Sequence, residues 1–311
     1  MMSIDGLLQS QRKIHKISLL GMGGMGRRMA QSLLQAGYEL TVWDVDAKAC
    51  WPLCASGARY APTPRAAAAA SELVISMVWD DAAAESVWLD EANGALDAMA
   101  SSSIAMECAT LSTRHIQRMA DQCRQRQIDF VSAPMSGSLP EAENKTLIFI
   151  VGAASDVMTV IAPVVQAMGS KIHHAGDALD GMSEKLMING KLGIEYIAMA
   201  EIVALLRAGD MDIDKRMNIM AATAPFSARG LREARFMLQG DYAVRVKIRQ
   251  MVKDLSYAIE QFEARELPCP LHRVARDVFE SALRDGHGDE DATMMHKCYE
   301  KRAIEMKHPP L

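Results

Sequence analysis

Gly21-Met22-Gly23-Gly24-Met25-Gly26 follows directly on the apolar run Ile17-Ser18-Leu19-Leu20. Read as strand, tight turn and helix, this GxGxxG spacing suits a dinucleotide pyrophosphate. The first glycine lets the chain turn, the second lets backbone approach phosphate, and the third lets helix pack on strand. The phosphates then face unpaired N–H groups at the positive end of the helix dipole. Glycine-rich turns also arise by chance, so the surroundings decide. Met25, Met29, Leu33 and Leu34 recur at helical spacing, and Gly37 is a natural stop. The next apolar run, Tyr38 to Trp43, reads as a second strand ending on Asp44, about twenty residues past the turn, where a carboxylate accepts hydrogen bonds from an adenine ribose. A structural βαβ unit with no ligand is the lesser alternative, and a nucleotide site the main reading.

Gly21, Met22, Gly23, Gly24, Met25, Gly26 and Asp44 are therefore the expected cofactor-binding residues. A carboxylate at Asp44 repels the extra phosphate of NADP and suits the free hydroxyls of NAD. Val45 stands where a phosphate-binding arginine could be. Arg27 and Arg28 pull the other way, but beside the turn they read as backing the pyrophosphate or as solvated positions. NAD is expected, with NADP left open.

The 311 residues are enough for two domains, each with a core. Half are apolar and 23% charged, and the net charge of -5 offers no attraction for nucleic acid or an anionic membrane. No apolar run approaches a membrane span, and the start lacks the pattern of a secretion signal. A cytoplasmic protein with reduced thiols is expected. Six scattered cysteines form no framework, and no histidine or second cysteine pair stands at metal-ligand spacing, so no metal is expected.

Up to residue 176 the chain alternates strand-like runs (Leu73–Val78, Ser103–Glu107, Ile128–Ser132, Leu147–Val151, Ile172–His174) with helical stretches (Ala82–Ala92, Ser112–Arg126, Asp156–Met168). That pattern predicts an α/β domain, a doubly wound Rossmann sheet with helices on both faces. Beyond it helical periodicity takes over, through Met182–Arg207, Lys215–Ala222, Tyr242–Glu263 and Leu271–Asp285. The expected organisation is an extension over residues 1–13, a Rossmann domain over 14–178 and an all-α C-terminal domain over 179–311. The active site is expected in the cleft between the two domains, which the helical domain completes.

Within the first C-terminal helix, Lys185 and Asn189 are four residues apart and share a face. Gly190 and Gly193 interrupt the same helix at about 1 kcal/mol each relative to alanine, as though something approached its backbone closely. Taken alone, Lys185 reads as a solvated charge. The histidines read as surface or packing residues, and the Arg229–Arg235 cluster as a solvated helix face.

Together these residues resemble the β-hydroxyacid dehydrogenases, the group that includes 3-hydroxyisobutyrate dehydrogenase. The resemblance runs from about residue 15 to about residue 298. It rests on the glycine turn, Ala133-Pro134-Met135-Ser136-Gly137, the Lys185/Asn189 helix, Lys253-Asp254 and the closing Gly288-Asp289-Glu290-Asp291. It implies an NAD(P)-dependent oxidoreductase acting on a small anionic 3-hydroxy acid or the matching aldehyde or keto acid. Lys185 matches the family's catalytic lysine, and Asn189 the amide that positions substrate. Ser136 and Gly137, with Ser138 beside them, match the loop that holds the substrate carboxylate. Lys253 matches a pocket lysine near nicotinamide and substrate, while Asp254 is read as fixing the local helix or that lysine. Thr110 matches a threonine on the nicotinamide side, and Met77 and Val78 match the segment covering the cofactor. A homodimer or homotetramer is implied, with the long helix packed between protomers.

The chemistry agrees. Hydride transfer needs the substrate carbon held against the nicotinamide while a neighbour exchanges the hydroxyl proton. A lysine, with an ordinary pKa near 10.4, needs burial or a nearby cation to serve close to neutrality. Several positions depart from the family pattern. Ser132 replaces an acid, Ser138 a second glycine, Ala109 a serine, and Pro140 and Lys145 stand where small residues or glycine are common. Two rival readings share the fold: an imine reductase, against which Lys185 argues, and a silent nucleotide-binding regulator, against which the Lys185, Asn189 and Ser136 set argues.

Overall fold

Lys16–Leu20 forms strand β1, buried from Ile17 onward as expected for a strand covered on both faces. β1 lies parallel between β2 (Glu39–Trp43) and β4 (Leu73–Ser76), with the two-residue β3 (Arg59–Tyr60) outside β2. β5 (Ile104–Glu107) and β6 (Asp129–Ser132) extend the parallel sheet beyond β4. The order β3-β2-β1-β4-β5-β6 reverses direction at β1, the switch point beyond whose strand ends doubly wound sheets bind ligands. The computed structural model describes residues 12–209 and 212–299. Residues 1–11 of the segment read as an extension lie outside the described residues.

Helix α1 (Gly26–Gln35) connects β1 to β2 and buries Met29, Ala30 and Leu33 against the sheet. At ten residues it would be marginal alone. Burial of side chains such as Met29 and Leu33, about 1.5–3 kcal/mol each, is what holds it. Short helices α2 (Trp51–Ala55) and α3 (Pro64–Ala68), then α4 (Asp81–Leu89) and α5 (Thr113–Gln125), complete the crossovers. The chain then departs from pure parallel winding. β8 (Leu147–Gly152) runs antiparallel to β6 and to the two-residue β7 (Met135–Ser136), and parallel to β9 (Gly169–Gly176). The five-residue α6 (Leu139–Glu143) and α7 (Ser155–Met168) fill the connections.

A 31-residue helix, α8 (Ala178–Ala208), follows. The chain divides into two compact units, Met1–Lys185 and Leu186–Leu311, and the division falls inside α8. The sequence-based boundary at 178/179 stands at the start of that helix. The second unit holds α9 (Ile213–Ala221), α10 (Ala228–Gln239), α11 (Ile248–Glu263) and α12 (Pro270–Arg284), with no strand among its described residues. Its core joins Tyr196, Ala200 and Val203 of α8 to Met237, Leu255 and Phe279.

Gly190 and Gly193 are explained by helix packing within that unit. A Cβ at Gly190 would lie 2.6 Å from His272 Nε2, and one at Gly193 3.0 Å from Leu255. The close approach comes from α11 and α12 themselves. The stretch Tyr242–Glu263, expected as one helix, starts helical only at Ile248. Upstream, the buried Asp291 carboxylate accepts the Arg245 and Val246 N–H groups and holds that segment extended. Among the described residues, no helix is long and apolar enough to cross a membrane.

Candidate active site

The glycine turn is packed tightly at its ends and open in its middle. Gly21 sits at φ +102, where a Cβ would lie 2.4 Å from Met77 O, and its N–H donates to Trp43 O. A Cβ at Gly26 would meet the Gly21 carbonyl at 1.9 Å. By contrast, nothing stands within 4 Å of a Cβ at Gly23. Helix α1 also starts without a side-chain cap, whereas Thr63, Asp80 and Ser112 cap α3, α4 and α5. The Arg27 and Arg28 N–H groups already donate to the Gly23 and Met25 carbonyls, and no side chain caps the residues ahead of them.

Asp44 stands at the shoulder of this turn. Its Oδ2 accepts the Met22 N–H at 2.6 Å and its Oδ1 the Asp46 N–H at 2.8 Å, which fixes a half-buried carboxylate in place. Val45 beside it is 88% exposed. Arg28 is turned back, donating to Gly24 O and lying 3.7 Å from Glu143, while Arg27 is exposed. An open glycine face, an uncapped helix start and an anchored carboxylate fit a dinucleotide. Met77 and Val78, just past the end of β4, are both half-buried. Thr110 lies in the loop after β5.

Lys185 is buried, 8% exposed, and its Nζ donates to Met135 O at 2.6 Å. Taking an ammonium out of water is costly unless it is paired, and this carbonyl is one partner. The amine therefore sits at the root of the segment Ser136-Gly137-Ser138, in the same unit as the glycine turn. Gly137 takes φ +126, with Leu147 and Glu141 side chains where a Cβ would go. At the next residue, the Ser138 N–H and hydroxyl both donate to Glu141 Oε2 at 2.7 Å. That hydroxyl is engaged at the start of α6. Lys145 holds φ +56, a left-handed conformation that favours glycine.

In the second unit, Asn189 and Lys253 converge on one acid. Asn189 Nδ2 donates to Asp254 Oδ2 at 2.8 Å, and Lys253 Nζ lies 3.2 Å from Oδ1, an ion pair without hydrogen-bond geometry. Asp254 has no exposed surface and Asn189 is 5% exposed. The Lys253 ammonium also stands 5.4 Å from the centre of the Tyr257 ring. Lys185 and Asn189 are thus one helical turn apart, the first engaged with β7 and the second with α11. Among the described residues no group of three or more His, Cys, Asp or Glu could hold a metal ion.

One residue of this region, Glu107 at the end of β5, carries no expectation from sequence. It has no exposed surface, and burial pushes its carboxyl up to about 7. The signal available was a charged residue closing the apolar run Ile104-Ala105-Met106.

Comparison with known proteins gives a consistent picture. Residues 16–176 match the NAD binding domain of 6-phosphogluconate dehydrogenase, and residues 180–299 match the NAD-binding region of NADP-dependent 3-hydroxyisobutyrate dehydrogenase. The chain is 30% identical over 292 residues to 3-hydroxyisobutyrate dehydrogenase of Pseudomonas aeruginosa, covering 91% of this chain and 98% of that protein. It is 28% identical over 287 residues to 2-(hydroxymethyl)glutarate dehydrogenase of Eubacterium barkeri, covering 92% and 95%. The crystal structure of 3-hydroxyisobutyrate dehydrogenase from Salmonella typhimurium superposes with a TM-score of 0.80 at 26% identity, over 91% of this chain and 99% of that one.

Proposed function

Because the chain belongs to the β-hydroxyacid dehydrogenase family and is an NAD(P)-dependent oxidoreductase of that type, we propose that it interconverts a small anionic 3-hydroxy acid and the matching aldehyde or keto acid, with Lys185 moving the proton. The observation that carries this reading is the burial of Lys185, whose amine rests on Met135 O beside Ser136 and Gly137. A solvated lysine would argue the opposite.

The bound nicotinamide cofactor supplies the hydride acceptor or donor. The Gly21–Gly26 backbone and the start of α1 receive its pyrophosphate, Asp44 its ribose hydroxyls, and Met77, Val78 and Thr110 line its nicotinamide side. The anchored carboxylate at Asp44 and the turned-back Arg28 favour NAD over NADP. The Ser136–Gly137 backbone holds the substrate carboxylate, with Ser138 shaping that segment through Glu141. Lys185 takes the proton from the substrate hydroxyl in oxidation and returns it in reduction. Asn189, braced by Asp254, orients that hydroxyl, and Lys253 adds positive charge for the anionic group. The relatives named above act on 3-hydroxyisobutyrate and 2-(hydroxymethyl)glutarate, both small hydroxy acids. We read the protein as cytoplasmic and as a homodimer or homotetramer; Met187 and Leu205, exposed on α8, support a protein contact along that helix.

Lys185→Ala should lower kcat by roughly 10²–10⁴-fold while NAD affinity stays at the wild-type value. Retained turnover would remove Lys185 from the mechanism. A panel of short hydroxy acids with NAD and with NADP tests the reaction class and the Asp44 argument together. Oxidation of NAD(P)H with cyclic imines but not with aldehyde acids would favour an imine reductase. Tight NAD binding with no turnover of any substrate would favour a regulator.

A further inference from the structure

From Ser103 to Ser112 every residue is buried except Thr110, which is half-buried. The chain there is tied at successive points. Cys108 N–H donates to Ser76 O at 2.9 Å, Ala109 N–H to Glu107 Oε1 at 2.8 Å, Leu111 N–H approaches Met182 Sδ at 3.5 Å, and Ser112 is held by Asp81. A segment fastened on both sides of one accessible residue fixes where that residue stands.

Of these ties, the one made by Glu107 stands out. Its Oε2 accepts the Trp88 indole N–H at 2.8 Å while its Oε1 bends the following backbone inward through Ala109. Neither donor is a cation. On the neighbouring strands, Ser76 and Ser132 are its register partners, and both hydroxyl oxygens are buried without a hydrogen-bond partner. Two rotatable hydroxyls flanking a carboxyl can donate to the carboxylate or accept from the acid, so both protonation states can be housed.

We propose that Glu107 is a positioning residue: its carboxylate, acting through the Ala109 N–H, sets Thr110 against the nicotinamide end of the cofactor, and protonation of Glu107 loosens that hold. The proposal rests on the reading of Thr110 as a cofactor contact. A hydrogen bond to a carboxylate is roughly twice as strong as one to a neutral carboxyl, so protonation weakens the Ala109 tie without breaking the fold. Burial raises the Glu107 carboxyl to about 7, against the pull of the Trp88 and Ala109 N–H groups and the nearby Ser76 hydroxyl, which makes no bond of normal geometry. Among the described residues, the adjoining Cys108 thiol is pushed well above its ordinary range by its own burial and by Glu107. Trp88 from α4, Ser76 from β4 and Ser132 from β6 do not titrate near neutrality.

The test measures NADH dissociation constants from pH 6 to 8.5 in wild type, Glu107→Gln and Thr110→Ala, with the indole ¹⁵N–¹H resonance of Trp88 followed in parallel. Wild type should bind more weakly as pH falls through about 7, and the Trp88 resonance should titrate with the same midpoint. Glu107→Gln should bind about fivefold more weakly at pH 8 and lose both pH dependences, because a neutral amide replaces a charge-assisted acceptor. Wild-type affinity and pH profile in Glu107→Gln would overturn the proposal, as would a Trp88 resonance that does not move. If Glu107→Gln fails to fold, the wild-type resonance still decides. If Thr110→Ala leaves affinity unchanged, the reading of Thr110 fails. If Thr110→Ala weakens binding and Glu107→Gln does not, only the role given to Glu107 fails.

Discussion

Asp254 and Glu107 are both fully buried, one in each unit, and they are held by opposite means. Asp254 faces a cation, Lys253, its neighbour in sequence, and an amide from α8. Glu107 faces only uncharged donors, an indole and a backbone N–H. A carboxylate balanced by a cation fixes the arrangement of both partners. One balanced by neutral dipoles remains close to a change of state. Burial alone does not tell what a carboxyl does, because the charge of its partners decides.

The largest expected effect comes from removing the balanced acid. Asp254→Ala strips a buried partner from both Lys253 and Asn189 and should cost about 3–5 kcal/mol, read from the urea unfolding midpoint. The lower end is expected, since the Lys253 side chain keeps 13% of its surface and can find water. A loss under about 1 kcal/mol would mean that the pair does not brace the helices.

The second effect is linked to pH. The Glu107 carboxyl rises from 4.5 to about 7 on folding, so protonation favours the folded state. Its contribution is complete below about 4.5 and is lost as pH climbs through about 7. The difference of about 2.5 units corresponds to on the order of 3 kcal/mol. Relative to Glu107→Gln, wild type should therefore lose about that much stability between pH 5 and pH 8. Parallel stability curves for the two proteins would erase the contrast with Asp254.

The smallest effect concerns a carboxylate outside the core. Ser138→Ala removes a hydroxyl donating to Glu141 at the start of α6 and should cost about 1 kcal/mol by thermal unfolding. An unchanged melting temperature would show that the Ser138 backbone N–H holds Glu141 by itself.

How far the sequence reached follows the same division between backbone and side chain. The βαβ start was legible because glycine spacing reports backbone constraint directly, and Gly21 and Gly26 are where sterics forbid a side chain. Apolar runs located β1, β4, β5, β6 and β8 to within a few residues. The antiparallel placement of β8 was not legible, because pairing partners are set by tertiary contacts. Lys185 read as a surface charge by composition, and only the family resemblance raised it further. Its carbonyl partner is 50 residues away in the chain. Trp88 and Glu107 are likewise 19 residues apart on different elements, which no local pattern encodes. The role of Ser138 was within reach, since Ser-x-x-Glu at a helix start is a capping signature.

Leu139 leans on Gly24: a Cβ there would come within 3.1 Å of its methyl group. The cradle at residues 21–26 and the segment that opens α6 consequently share a wall. A Cβ at Gly24 asks Leu139 to give by a few tenths of an ångström, and a longer side chain should press further toward Ser138 and Gly137. A genetic lesion in the nucleotide turn would then surface as a shift in preferred substrate, and a screen for altered selectivity should sample this turn as well as the residues that touch the acid.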